Sequence, residues 1–222
     1  MTEQAQQVGT RTLRADAQRN MEKIRVAALE VFREQGLAAP LEEIARRAGV
    51  RPGTVYHRFG SREGLIDDVV PQLAAENLGR ATDDALACEN PWDGFVLYLT
   101  RICELQADSG AMCDAVTRRY ADTEHLATAC DVARTREQQV IDRAVRSGDL
   151  RADFTLEDLQ GVFWSTAAIV AAAGEVAPNA WRRHLALIVD GLRSGAAHPL
   201  PVESLTPDEV LRIKLDLGAR GA

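Results

Sequence analysis

The chain is short of everything a membrane protein or an exported protein needs. Its longest apolar stretch, residues 166–174, is far below the roughly 20 residues of a spanning helix. The opening MTEQAQQVG has no basic segment followed by an apolar one, so no secretory leader is expected and a cytoplasmic location is. Cysteine is scarce. Cys88, Cys103, Cys113 and Cys130 show no C-x-x-C spacing, and in a chain without a leader they read as reduced core thiols. Asp114 follows Cys113 and Glu89 follows Cys88, and a neighbouring carboxylate raises a thiol's pKa, which disfavours redox sensing. The motifs of common chemistries are missing too: H-E-x-x-H, a repeated E-x-x-H, a glycine-rich phosphate loop and G-x-S-x-G. A single Asp122-x-x-His125 has no twin. No catalytic residue, metal or cofactor is therefore expected, and no membrane partner. Strand-like alternation, internal repeats and low-complexity tracts are absent as well, which leaves an all-α fold.

Positive charge is scarce in total but not in place. The net charge is −7, yet residues 11–62 carry 11 Lys and Arg against 6 Asp and Glu, a balance of +5 that leaves −12 for the remainder. A basic head on an acidic body offers one face to phosphates and repels them elsewhere. With 222 residues, 46% of them hydrophobic, the chain can bury the core of one large helical domain or two small ones.

Within that basic head lies LEEIARRAGVRPGTVYHRF, residues 41–59. Leu41, Ile44, Ala45 and Ala48 fall at i, i+3, i+4 and i+7, one face of a helix. Gly49 sits where a left-handed cap costs glycine least, and Pro52 opens a second helix, where its missing N–H is not needed. Val55 and Phe59 point one way, leaving Thr54, Tyr56, His57 and Arg58 on the other faces. Two short helices about a tight glycine turn, the second rich in donors, form a helix-turn-helix.

Upstream, residues 1–18 read as a mobile arm carrying Arg11 and Arg14, and a first helix over about 19–35 places Ile24, Ala27, Ala28, Val31 and Phe32 on one stripe. Downstream, Ser61 offers an N-cap, and Pro71 predicts a kink or break near Val70 that would divide a head, 19–70, from a body, 71–195. In the body, helices are predicted over 91–108, 111–120, 123–147, about 155–173 and about 179–194. The fourth of these is apolar nearly all round and full of small side chains, so it needs cover on more than one face. Residues 196–222 read as a tail with a short amphipathic piece at 207–217.

The stretch 19–70 resembles the tetracycline-repressor (TetR) family of bacterial transcription regulators. The resemblance is carried by F-x-x-x-G at 32–36, then LEEIARRAGV, then GTVYHRFGSREGL, in that order and spacing. It implies a homodimeric regulator, most often a repressor. Each protomer would use its head to bind a palindromic operator in double-stranded DNA and its body to bind a small effector that releases it. The last two long helices would supply the dimer seam. One departure stands out: many members place Thr or Ser before the second helix, whereas Ala38, Ala39 and Pro40 stand here, so a side-chain phosphate contact is lost.

The residues expected at DNA are Arg46, Arg51, Pro52, Gly53, Thr54, Tyr56, His57 and Arg62. Arg51 is expected to read guanine and Thr54 the groove floor. Gly53 permits close approach, and Tyr56, His57 and Arg62 are expected to hold phosphate. An effector, of unknown identity, is expected near Phe95, Tyr98, Tyr120 and Trp164, since a ligand-binding helical body needs an apolar cavity with a few polar groups. The dimer seam is expected at Phe163, Ala167, Trp181, Leu185, Ile188 and Leu192. A helical-bundle enzyme finds no motif to support it, and a protein-interaction adaptor leaves the basic head and the glycine-opened helix unexplained.

Overall fold

The computed structural model describes the backbone of residues 2–220 and the side chains of residues 17–195 and 197–220. Among the described residues, ten α-helices and one turn of 3₁₀ helix (Ser194–Ala196) make up the regular structure, and the only β-type pairing is an isolated bridge between Leu150 and Arg193. Helix α1 (Thr2–Gln35) buries the predicted stripe of Ile24, Ala27, Ala28, Val31 and Phe32. It begins well before Arg19, where the sequence places its start. The side chains of residues 1–16, on which the arm reading rests, lie outside the described residues.

Helices α2 (Leu41–Ala48) and α3 (Pro52–Phe59) form the predicted pair. Leu41, Ile44, Ala45 and Ala48 are all buried, and Gly49 takes the left-handed cap with φ 69°. Pro40 stands outside α2 as its N-cap, while Pro52 opens α3 as its first residue. Helix α4 (Arg62–Ala87) starts on the Ser61 hydroxyl, which accepts from the Gly64 N–H at 3.0 Å.

The break predicted at Pro71 does not occur: α4 runs through it. The proline removes one donor, the one for the Asp67 carbonyl, and the buried neighbours Val69, Val70 and Ala74 hold the rod together across the gap. The helix belongs to both halves. Leu65, Ile66, Val69, Val70 and Ala74 pack into the head core, whereas Leu78, Ala81 and Ala85 pack into the body core.

The body continues with α5 (Pro91–Asp108), α6 (Gly110–Thr117), α7 (Glu124–Arg146), α8 (Asp158–Ala173) and α9 (Ala180–Gly191). Asn90 caps α5 by accepting from the N–H groups of Trp92 and Asp93. Thr155 and Asp158 exchange bonds at the entry to α8, the Thr155 N–H donating to Asp158 at 2.8 Å and the Asp158 N–H to the Thr155 hydroxyl at 3.3 Å. Helix α4 packs chiefly on α7 and α5, with Phe95, Tyr98, Leu99, Ile102 and Phe163 sealed between layers. The amphipathic piece predicted in the tail is helix α10 (Pro207–Arg220), and it returns to the body. Its Val210 is buried, the Arg119 N–H donates to the Lys214 carbonyl at 2.9 Å, and a Cβ on Gly218 would lie 2.0 Å from the Arg119 carbonyl oxygen. Only glycine allows this approach.

Head and body are bolted together at two points. The Leu37 N–H, just after α1, donates to the Asp114 carboxylate on α6 at 2.7 Å, and the Arg118 guanidinium lies 3.0 Å from its other oxygen. Backbone meets backbone beside it: a Cβ on Gly110 would stand 2.6 Å from the nitrogen of Gly36. At the second point Asp67 of α4 accepts from the Leu126 N–H at 2.9 Å and lies 2.6 Å from His125 Nδ1, both at the start of α7. Burial opposes ionisation of Asp67, but these donors outweigh it and hold its carboxyl below the ordinary value.

Candidate nucleic-acid interface and effector cavity

Helix α3 is anchored by its inner face, where Val55 enters the head core and Phe59 packs against it. Val55 is fully buried, Thr54 and Phe59 are half-buried, and Arg51, Pro52, Gly53, Tyr56, His57 and Arg58 are exposed. A helix held by its inner face while the N-terminal turn projects is the geometry that enters a major groove. Tyr56 keeps 47% of its surface open, unusual for a large ring and suited to meeting a partner. Tyr56 and Arg62 border one hollow, together with Leu41 at the start of α2 and Glu63 near the start of α4. Two helix N-termini, a phenol and a guanidinium there favour a phosphate; Glu42 and Glu63 on the rim oppose it.

The arginines of α2 are engaged within the head. Arg46 makes a fork to Glu43 at 2.8 and 2.7 Å, and Arg47 donates to Glu34 at 2.8 Å. The bond from Arg46 is the main reason that the Glu43 carboxyl lies below its ordinary value. Exposed pairs of this kind are worth about 0–1 kcal/mol, so Arg46 can exchange its partner for a phosphate at little cost. Arg62 is turned inward: it donates to the Ala38 carbonyl at 3.0 Å, and its Nε lies 3.6 Å from Glu63. It fastens the loop before α2 to the start of α4, a role the sequence reading missed because a loop carbonyl leaves no side-chain signature.

The body holds a cavity of about 230 Å³ between α4, α6, α7, α8 and α10. Leu78, Val116 and Phe163 give it apolar walls; Glu137 and Gln160 are buried polar members, and Arg119, Arg134 and Lys214 stand around it. None of the four residues expected at an effector lines it. Phe95 is core with no exposed surface, Tyr120 packs into the head core, and the Trp164 indole N–H donates to the Thr117 carbonyl at 2.9 Å. Tyr98 comes nearest, since its hydroxyl donates to Glu137 at 2.6 Å behind the wall. Burial raises the Glu137 carboxyl above its ordinary value, against the bond from Tyr98.

The residues expected at the dimer seam divide in two. Phe163, Trp181 and Leu185 are buried inside the protomer, Phe163 as a wall of the cavity. Ala167, Ile188 and Leu192 are half-buried. The open side of this helix pair is instead made by Gly161, Ala168, Ala171 and Ala172 of α8 and by Leu187 of α9, which is 62% exposed. Burial pushes the Cys103 and Cys113 thiols each up to about 11, which disfavours their reactive thiolate forms. Among the described residues no cluster of His, Cys, Asp or Glu is suited to a metal, and no helix is long and apolar enough to cross a membrane.

Residues 24–69 match the family model for bacterial regulatory proteins of the tetR family, and residues 90–194 match that for the SbtR-like transcriptional regulator C-terminal domain. The crystal structure of the TetR transcription regulatory protein from Mycobacterium vanbaalenii is 30% identical, covering 82% of this chain and 99% of that one, with a TM-score of 0.44. The chain belongs to the TetR family of transcriptional regulators. The regulator BetI of Rhizobium meliloti (strain 1021) is 47% identical over 62 residues, 28% of this chain and 29% of that protein. At the level of fold alone, the TetR-family regulator PfmR from Thermus thermophilus superposes with a TM-score of 0.55 at 19% identity, over 76% of this chain and 98% of that one. The chain spans 29%, 58% and 35% of the length of the first curated relatives it matches. This TetR-family chain thus carries its family's head and a C-terminal body of a recognised type, joined by one continuous helix.

Proposed function

We propose that this TetR-family protein acts as a homodimeric repressor that sits on a palindromic operator and leaves it when a small molecule enters the body. The observation that carries this reading is α3 itself: a helix pinned by Val55 whose Arg51, Gly53, Tyr56 and His57 all face outward on the basic end of an acidic chain. Arg51 reads a base edge at the N-terminal turn, Thr54 lies on the groove floor, and Pro52 and Gly53 allow the backbone close in. Tyr56, His57 and Arg46 hold phosphates. Arg62 steadies the head from behind and presents to the phosphate hollow only what its bond to Ala38 leaves over.

The seam between protomers is the outer face of α8 and α9. Gly161, Ala168, Ala171 and Ala172 let helices approach closely, and Leu187 adds apolar area. Effector control is supported by the cavity's position, since its walls include α4, α6 and α7, each of which also contacts the head. The test is a gel shift on operator-like palindromes at several salt concentrations. Several phosphate contacts per dimer make the affinity fall steeply as salt rises. Absence of any sequence preference at low salt, with the protein folded, would overturn the proposal.

A further inference from the structure

The fixed wall of the body cavity carries acceptors that lack donors. Gln160 on α8 is 4% exposed, and its Oε1 has no hydrogen-bond partner. Glu137 on α7 receives only the Tyr98 hydroxyl, on one oxygen, among the described residues. The arginines around the cavity are already matched, Arg119 by Asp131 at 3.0 and 3.1 Å and Arg134 by Glu157. The remaining cation is Lys214, and it comes from α10. It is near enough to Glu137 for each to favour the other's charge, yet the two form no ion pair within 4.0 Å among the described residues. Burial disfavours both charges, pushing Glu137 up and Lys214 down.

Helix α10 is built to cover the opening rather than to complete a core. Val210, Leu211 and Lys214 line the cavity, yet Leu211 stays 43% exposed and Leu215 40% exposed. It is tethered by a non-helical segment at 197–206. An anion entering this cavity would meet the carboxylate of Glu137 and the bare oxygen of Gln160. An ammonium would meet two acceptors and could set its apolar part against Leu78, Val116 and Phe163.

We propose that the cavity is a receptor for an organic ammonium ion, and that α10 keeps it closed by presenting Lys214 in the ligand's place. The proposal rests on the effector reading above for its link to DNA, but not for binding itself. The ligand's N–H groups donate to Glu137 and Gln160, its apolar part takes the space of Val210 and Leu211, and Lys214 leaves with the helix.

The test uses the full chain without DNA, titrated calorimetrically with three isosteres: benzylammonium, benzyl alcohol and benzoate. Benzylammonium should bind about tenfold or more tighter than either of the others, the worth of one charge-assisted hydrogen bond. Glu137→Gln, with its fold verified by circular dichroism, should abolish that preference. Lys214→Met should tighten benzylammonium by about threefold to tenfold, because the competing cation is gone. Hydrogen exchange over 207–220 should speed up at saturating benzylammonium. A preference for benzoate that Lys214→Met removes would overturn the proposal, as would equal affinity for all three probes, no binding even to Lys214→Met, or unchanged exchange in α10. A gel shift with benzylammonium separates the two readings: binding with the stated preference but no release from DNA sinks effector control and leaves the receptor intact.

Discussion

Asp114 on α6 accepts the backbone N–H of Leu37 at 2.7 Å, so a body helix completes the turn that ends the first helix of the head. The bond is buried, and burial pushes the Asp114 carboxyl up against the pull of Leu37 and Arg118. A joint made this way passes any displacement of α6 directly to the α1–α2 loop.

Asp114→Ala should therefore cost about 1–3 kcal/mol, the usual penalty for a buried donor left without a partner. Urea denaturation would check this, and Asp114→Asn, which keeps an acceptor, should recover part of the loss. A variant as stable as the parent would mean that water replaces the carboxylate.

Arg51 is the exposed residue at the mouth of α3. Arg51→Ala should relax preference at one symmetric pair of operator positions by about 1–3 kcal/mol and leave the others unchanged. Selection from a randomised duplex library reads this out. Identical profiles for the two proteins would remove Arg51 from base reading.

Leu185 and Leu187 are two residues apart and should behave oppositely. Leu185 is 4% exposed within the protomer, so Leu185→Glu buries a charge and should unfold the body. Leu187→Glu should leave a protomer with native circular dichroism that sediments as a monomer, because its side chain is 62% exposed. A dimer undisturbed by the second change would place the seam elsewhere.

Glu137 gives a pH signature. Its folded pKa lies above the ordinary value near 4.5, so the folded state holds the proton more tightly than the unfolded state. Below the ordinary value the group is neutral in both states and costs nothing. As pH climbs past it toward the raised one, the cost of a buried charge appears and persists above. Glu137→Gln, which still accepts from Tyr98, should thus melt a few degrees higher than the parent at pH 7–8, an advantage that fades toward pH 4. Tyr98, Arg134 and Lys214 face the same carboxylate and moderate the size of the effect. An equal melting temperature across this range would show that Lys214 fully compensates the charge.

The head was the most legible part of the sequence because local chemistry decides it. Four apolar residues at helical spacing, Gly49 in the left-handed region, Pro52 at a first helical position and Ser61 at a cap each state their conformation alone. Of the kink or break expected at Pro71, the break does not form, since a missing donor counts for less than the burial of Val69, Val70 and Ala74 around it. The cavity was harder to find. Aromatic residues such as Phe95 and Tyr98 draw the eye, yet large rings are what a core uses to fill space. The usable signal was Glu137, a charge in register with Ala133, Val140 and Ile141 on the inner stripe of α7. The six residues expected at a seam divide for a similar reason: Phe163, Trp181 and Leu185 go to the protomer interior, while Ala167, Ile188 and Leu192 stay half-buried. The role of α10 depends on where a distant segment docks, which periodicity does not carry.

The unbroken α4 has a thermodynamic consequence. Its first half is core for one lobe and its second half is core for the other, so neither lobe can melt without fraying the rod on which its neighbour is built. Calorimetry on this chain should trace one endotherm, not two, and a lesion in either lobe should shift that single peak as a whole.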